Sequence, residues 1–217
     1  MRTKTGTVLI LLGLILLAGA MALYLYNDRE DRAAAEASRN LMPQLVESIV
    51  LRTEGQQERP NSDSPDSAAS GENETPDVAV PPEERVMPVV EVDGHGYIGF
   101  LSIPSLGLEL PVMADWSYPQ LRIAPCRYTG SVRGEDMVVM AHNYDSHFGP
   151  ISGLQIGDSV LFVDMDGRTI PYQVVGKDVL PPTAVDEMTS GEFDLTLFTC
   201  TYGGASRVTV YCNRTDK

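Results

Sequence analysis

The sequence predicts an all-β domain, a closed or nearly closed barrel, carried behind an N-terminal membrane helix and a polar linker. Three observations predict it. From Glu91 onward the chain breaks into seven or eight short apolar runs separated by Gly, Pro and Asp-Gly signals, with little room for helix. Residues 53–90 are rich in Pro, Ser, Glu and Asp and almost free of aliphatic side chains until Val78. Residues 7–26 carry no charge at all.

The uncharged run opens the chain. As a helix its length is roughly 30 Å, the thickness of a bilayer core. Arg2 and Lys4 precede it, and Asp28, Glu30 and Asp31 follow. The positive-inside rule then keeps the N-terminus in the cytoplasm and the rest outside the cell, as a single-pass membrane protein. The alternative is a cleaved signal peptide with Ala18-Gly19-Ala20 as its site; the apolar run continues past it through Tyr26, which favours an uncleaved anchor. Residues 1–27 are therefore assigned to a cytoplasmic stub and anchor.

Residues 28–52 read as a helical membrane-proximal spacer, with Ala33, Ala34, Ala35 and Ala37 favouring helix and Leu41, Leu45 and Ile49 at spacing four. Pro43 makes two short helices as good a reading as one. Residues 53–90 cannot bury enough apolar area to offset their ordering entropy and are expected to be a disordered linker. Such a tether spans roughly 35 Å as a coil and suits a domain working at a distance from the membrane.

The barrel occupies residues 91–217. Strands are expected at 97–103 and 108–113, joined by Pro104-Ser105-Leu106-Gly107, then a short helix at 118–123. The apolar run 137–141 reads as a strand buried on both faces. Strands 158–164 and 169–175 form a hairpin through Asp166-Gly167, which residues 177–180 extend past Gly176. A helical turn at 185–188 precedes the last strands, 195–200 and 207–211.

Composition narrows function. Sixteen basic against thirty acidic side chains give a net charge of −14, which argues against nucleic acid as a partner. The three cysteines, Cys126, Cys200 and Cys212, leave at least one thiol unpaired in a monomer. Cys200 stands where an apolar strand meets a Gly-rich loop, and Cys126 and Cys212 remain available to pair with each other. His142 ends the strand 137–141. A neighbouring imidazolium favours thiolate, and the same ring can protonate a departing amine. His147 competes for this role and His95 reads as a solvated loop residue. Arg207 opens the final strand at the loop end shared with Cys200, where a guanidinium can donate to an oxygen gaining charge. Its alternative is a surface pair with Asp145, Asp186 or Glu187. Metal-ligand spacing is lacking, so no cofactor is expected; calcium on Glu135, Asp136, Asp186, Glu187 and Glu192 is the minor alternative.

Thr196-Leu197-Phe198-Thr199-Cys200 followed by Arg207, with Ala141-His142-Asn143 upstream, resembles the active-site signature of the sortase family. The segment 97–113, with Ile103-Pro104 and Leu110-Pro111-Val112, is similar to the opening strands of that fold. The resemblance implies an eight-stranded sortase-type barrel and a cysteine transpeptidase. It implies Cys200 as nucleophile, His142 as proton donor to the leaving amine, and Arg207 holding substrate backbone or oxyanion. The expected partners are C-terminal sorting signals of Leu-Pro-x-Thr-Gly type and an amine of a peptidoglycan precursor or a pilin. The 57 residues between His142 and Cys200 are too few for the class B insertion and sit closer to class A, D or E. Asp115-Trp116-Ser117 matches the lid of the pilin-building class only in part, which favours housekeeping anchoring. Two other functions fit the same residues: a secreted cysteine protease with water as acceptor, and a non-catalytic peptide-binding module.

Overall fold

The computed structural model describes residues 2–57 and 87–217. Helix α1 runs without a break over Arg2–Gln57. Its apolar side chains between Val8 and Tyr26 stand exposed, and it is long and apolar enough to cross a membrane. Pro43 does not divide it, although a proline denies the Arg39 carbonyl its intrahelical donor. Leu41, Leu45 and Ile49 flank Pro43 and bury against one barrel face, which holds both halves in line. Helix also covers residues 53–57, the expected start of the linker; the remainder of that segment up to residue 86 lies outside the described residues.

The segment expected to be a spacer is thus laid along the barrel. Near its C-terminal end Arg52 pairs with Asp166 at 3.2 Å, and Thr53 and Ile49 crowd Gly167 of the same turn. Nearer the apolar run, Asp31 bonds to Ser146. The expectation of a domain held off by a flexible tether omits this docking.

Among the described residues nine strands follow: β1 Val90–Val92, β2 His95–Ile103, β3 Leu108–Met113, β4 Cys126–Thr129, β5 Met137–Ala141, β6 Ser159–Asp164, β7 Thr169–Leu180, β8 Leu195–Cys200 and β9 Arg207–Arg214. Short helices α2 (Tyr118–Leu121) and α3 (Val185–Met188) interrupt them. The order is β1-β2-β3-β4-β5-β8-β9-β7-β6, and β6 returns to β2, closing eight strands into a barrel with β1 added at the β2 edge. Gly99 permits the closure. Its φ is 146°, and a Cβ there would collide with the Val163 carbonyl oxygen of β6.

Sequence patterning placed β3, β5, α3 and β8 at their observed bounds and ended α2 two residues late. It missed β1 and β4, which are short; β4 also carries a register shift between Arg127 and Thr129 and meets β3 at a single pair. His95 is the first residue of β2 and half-buried, where a solvated loop position was expected.

Strand alternation divides the side chains. Ile98, Leu101, Val112, Val139, Phe162, Leu197 and Val210 fill the barrel. Tyr97, Met113, Cys126 and Met165 point outward and are covered by α1. A third cluster, Val138, Met188 and Phe198, lies on the outer face beneath α3.

Candidate active site

One end of the sheet gathers the residues singled out in the sequence. β5 runs parallel to β8 with Ala141 opposite Thr199, so His142 and Cys200 are the next residues on adjacent strands. β8 and β9 are antiparallel with Cys200 opposite Arg207, and β9 sets Arg207 opposite Leu180 of β7. His142, Cys200, Arg207 and Leu180 therefore form one row across four strands. Leu197 faces the interior and Phe198 the outer cluster, so Cys200, two residues beyond Phe198, opens outward. His142, Cys200 and Arg207 are all half-buried.

Thr199 braces this row from within. Its buried hydroxyl donates to the Ala141 carbonyl at 2.8 Å, tying together the two strand ends that carry Cys200 and His142. The sequence placed Thr199 in a motif without giving it a task; only the pairing of β5 with β8 does so.

Arg207 makes no ion pair among the described residues, so the expected alternative partners Asp145, Asp186 and Glu187 do not hold it. Its Nη1 donates to the carbonyls of Gly204 and Ser206, each at 3.1 Å, which orients the guanidinium along the loop after Cys200. That loop is closed by Thr201, whose N–H donates to Ser206 O and whose hydroxyl accepts from Ser206 N.

The two histidines near the site differ. His142 has its pKa lowered, by burial first and by the Arg122 charge second, with Glu30 opposing. A resting imidazolium beside the thiol, as the sequence suggested, is therefore the disfavoured form at neutral pH. His147 is fully buried, and its pKa is pushed down to about 4 by burial and the His142 charge. Tyr144 lies between the two rings, 4.9 Å from His142 and 5.5 Å from His147.

The cysteines differ in the same way. All three are free thiols. Cys212 faces the barrel interior and Cys126 the layer under α1, on opposite sides of the sheet, so the pairing left open by the sequence does not occur. Burial pushes both thiols up to about 12. Cys200 instead borders a cleft of about 490 Å³, walled by residues 201–204, by Asn143, Tyr144 and Asp145, and by Tyr24, Asn27, Asp28 and Asp31 of α1. A larger groove of about 1110 Å³ between α1 and the β2–β3 turn contains none of His142, Cys200 or Arg207.

Among the described residues no three His, Cys, Asp or Glu side chains gather as a metal-binding group. Of the acidic loop residues, Glu135 pairs with Arg214 and Lys217, and Asp136 accepts from Ser131 N.

The family model of the sortase domain matches residues 101–215, a span that contains the whole row. This chain belongs to the sortase family. Sortases are, as a family, cysteine transpeptidases, and the closed eight-stranded barrel is theirs. Among solved structures this sortase is similar to sortase C1 of Streptococcus suis, with 28% identity, a TM-score of 0.51, and coverage of 57% of this chain and 75% of that one. It is similar to sortase C1 of Streptococcus agalactiae at 25% identity and TM-score 0.51, covering 58% and 72%. Sortase C of Clostridium perfringens SM101, at 22% identity and TM-score 0.51, covers 91% of this chain and 99% of that one and shares the fold. No curated protein matches the chain.

Proposed function

We propose that this sortase is a membrane-anchored transpeptidase that cleaves a C-terminal sorting signal of Leu-Pro-x-Thr-Gly type through a thioester on Cys200. It then transfers the acyl group to an amine of the cell wall or of a pilin. The observation that carries the proposal is the row itself: of three thiols, only Cys200 is flanked by an imidazole and a guanidinium and borders a cleft. The N-terminal run with Arg2 and Lys4 before it supports a single-pass anchor, N-terminus in the cytoplasm and barrel outside.

The chemistry follows from the charges. His142, neutral at rest, takes the Cys200 proton as sulfur attacks the scissile carbonyl. The tetrahedral oxyanion receives N–H groups of Arg207 that the loop carbonyls leave free. The intermediate collapses to a thioester as the imidazolium protonates the leaving amine. The incoming amine attacks the thioester, its proton returns to His142, and thiol is regenerated.

The test is a panel of sorting-signal peptides given to wild type and Cys200→Ala, with and without added amines. Mass spectrometry should find an acyl adduct on Cys200 and amine conjugates as product. Free acid alone under excess amine would make the protein a protease instead, and full cellular activity of Cys200→Ala would make it a binding module.

A further inference from the structure

We propose that Asp31, on the helix that follows the apolar run, is a positioning residue for His142. It fixes the loop that carries the ring, and so makes α1 part of the active site. The proposal rests on the proton-carrying role given to His142 above.

Asp31 lies 115 residues before Ser146, yet the two are joined by three short approaches. Ser146 N–H donates to Asp31 Oδ1 at 2.9 Å, and the Ser146 hydroxyl donates to the same oxygen at 2.6 Å, with the Asp31 carbonyl 3.1 Å away. A carboxylate accepting a backbone N–H and a hydroxyl together forms strong, directional bonds. Ser146 sits at the crest of a loop that is bonded to itself. Phe148 N–H donates to His142 O at 3.2 Å, and His147 and Gly149 N–H both donate to Tyr144 O, at 3.0 and 2.9 Å. His147 and Phe148 are buried completely and fix the far end. At the near end the Thr199 bond to Ala141 O holds the residue before His142 to β8, and Asn143, Tyr144 and Asp145 beyond it wall the cleft. Asp31 adds an anchor from outside the barrel, on the middle of that loop.

The anchor is rigid for a reason remote from the cleft. Leu41, Leu45 and Ile49 bury on the barrel, and Arg52 pairs with Asp166, so the helix cannot roll without breaking that contact. A group held on a packed helix positions more accurately than one held on a free loop. Displacing a proton-transfer group by about 1 Å costs on the order of 100-fold in rate.

The experiment uses the full chain in detergent micelles. Asp31→Ala should lower kcat about 10- to 100-fold with KM little changed. Asp31→Asn keeps an acceptor oxygen and should restore most of the rate. Ser146→Ala should give a smaller loss, and the double variant Asp31→Ala/Ser146→Ala should be no slower than Asp31→Ala. If Asp31→Ala fails to fold, Ser146→Ala against wild type carries the same test. The His142 ring-proton resonances, read without substrate, should shift in Asp31→Ala. An unchanged kcat overturns the proposal, as does a rise in KM alone, which would make Asp31 a substrate contact. Failure of wild type to turn over any sorting peptide would instead sink the proposed function, and the His142 resonances would then still decide whether Asp31 holds the loop.

Discussion

Two regions of the barrel hold the same residue types and differ in everything those residues can do. At the outer end of β5, β8 and β9 lie His142, Cys200 and Arg207, all half-buried, with Cys200 bordering a cleft. Fully buried are Cys212 in the wall, Cys126 under α1, and His147 in the loop after β5. Cys212 is on the strand adjoining Cys200 and pairs with Leu195 at the other end of β8. Strand alternation and distance from the strand end decide which thiol meets a neighbouring charge and which meets only hydrocarbon. Burial raises both thiol pKa values to about 12 and drives the His147 imidazole down to about 4, so the inner set stays neutral. Residue identity nominates chemistry; the face of the strand decides whether it is accessible.

The sharpest way to break this comparison is to exchange the roles of the two β8–β9 cysteines. Cys200→Ala is expected to abolish acyl adduct and turnover, whereas Cys212→Ala should keep the rate and cost about 1–2 kcal/mol of stability. Peptide turnover and urea melts read both; loss of turnover in Cys212→Ala with an intact fold would contradict the division. Next in size, Arg207→Ala should lower turnover about 100- to 1,000-fold without lowering the melting temperature. A near-normal rate removes Arg207 from the mechanism.

His147 tests the inner region by pH. Its folded pKa of about 4 lies below the ordinary 6.5, so its contribution to stability is complete above pH 6.5 and is lost as pH falls toward 4. The loss amounts to roughly 3 kcal/mol, and His147→Phe should flatten the stability profile across that window. Equal profiles in the two proteins would show that the ring is not held neutral. The smallest effect belongs to the brace between regions. Thr199→Val removes the bond to Ala141 O, at a cost of about 1 kcal/mol and a modest fall in kcat, measured by melting and by initial rates.

Much of the barrel was legible because short-range pattern governs it. The alternating or continuous apolar runs marked β3, β5 and β8 at their ends, and Asp166-Gly167 marked the β6–β7 hairpin. β1 and β4 escaped because three or four residues carry too little periodicity, and β4 is bulged as well. Pro43 left one helix or two undecided for a different reason: local propensity weighs a proline by its missing N–H, but Leu41, Leu45 and Ile49 set the helix path by burial on a remote surface. The lowered pKa of His142 was not legible in the sequence, because the burial of the ring and the Arg122 charge come from segments that sequence does not bring together.

By itself the sequence determined the residue types and the strands that carry them: a Thr-Cys at one strand end, a His at another, an Arg opening the last, and an uncharged run long enough for a bilayer. Those are local properties, written in composition and in a period of two. The tertiary structure decided what depends on contacts across the chain: that Thr199 braces Ala141 over 58 residues, that Cys126 and Cys212 face opposite sides of the sheet, and that α1 lies along the barrel with Asp31 on Ser146. Closure of the sheet and burial of the helix choose those neighbours, and neither is encoded at any one position.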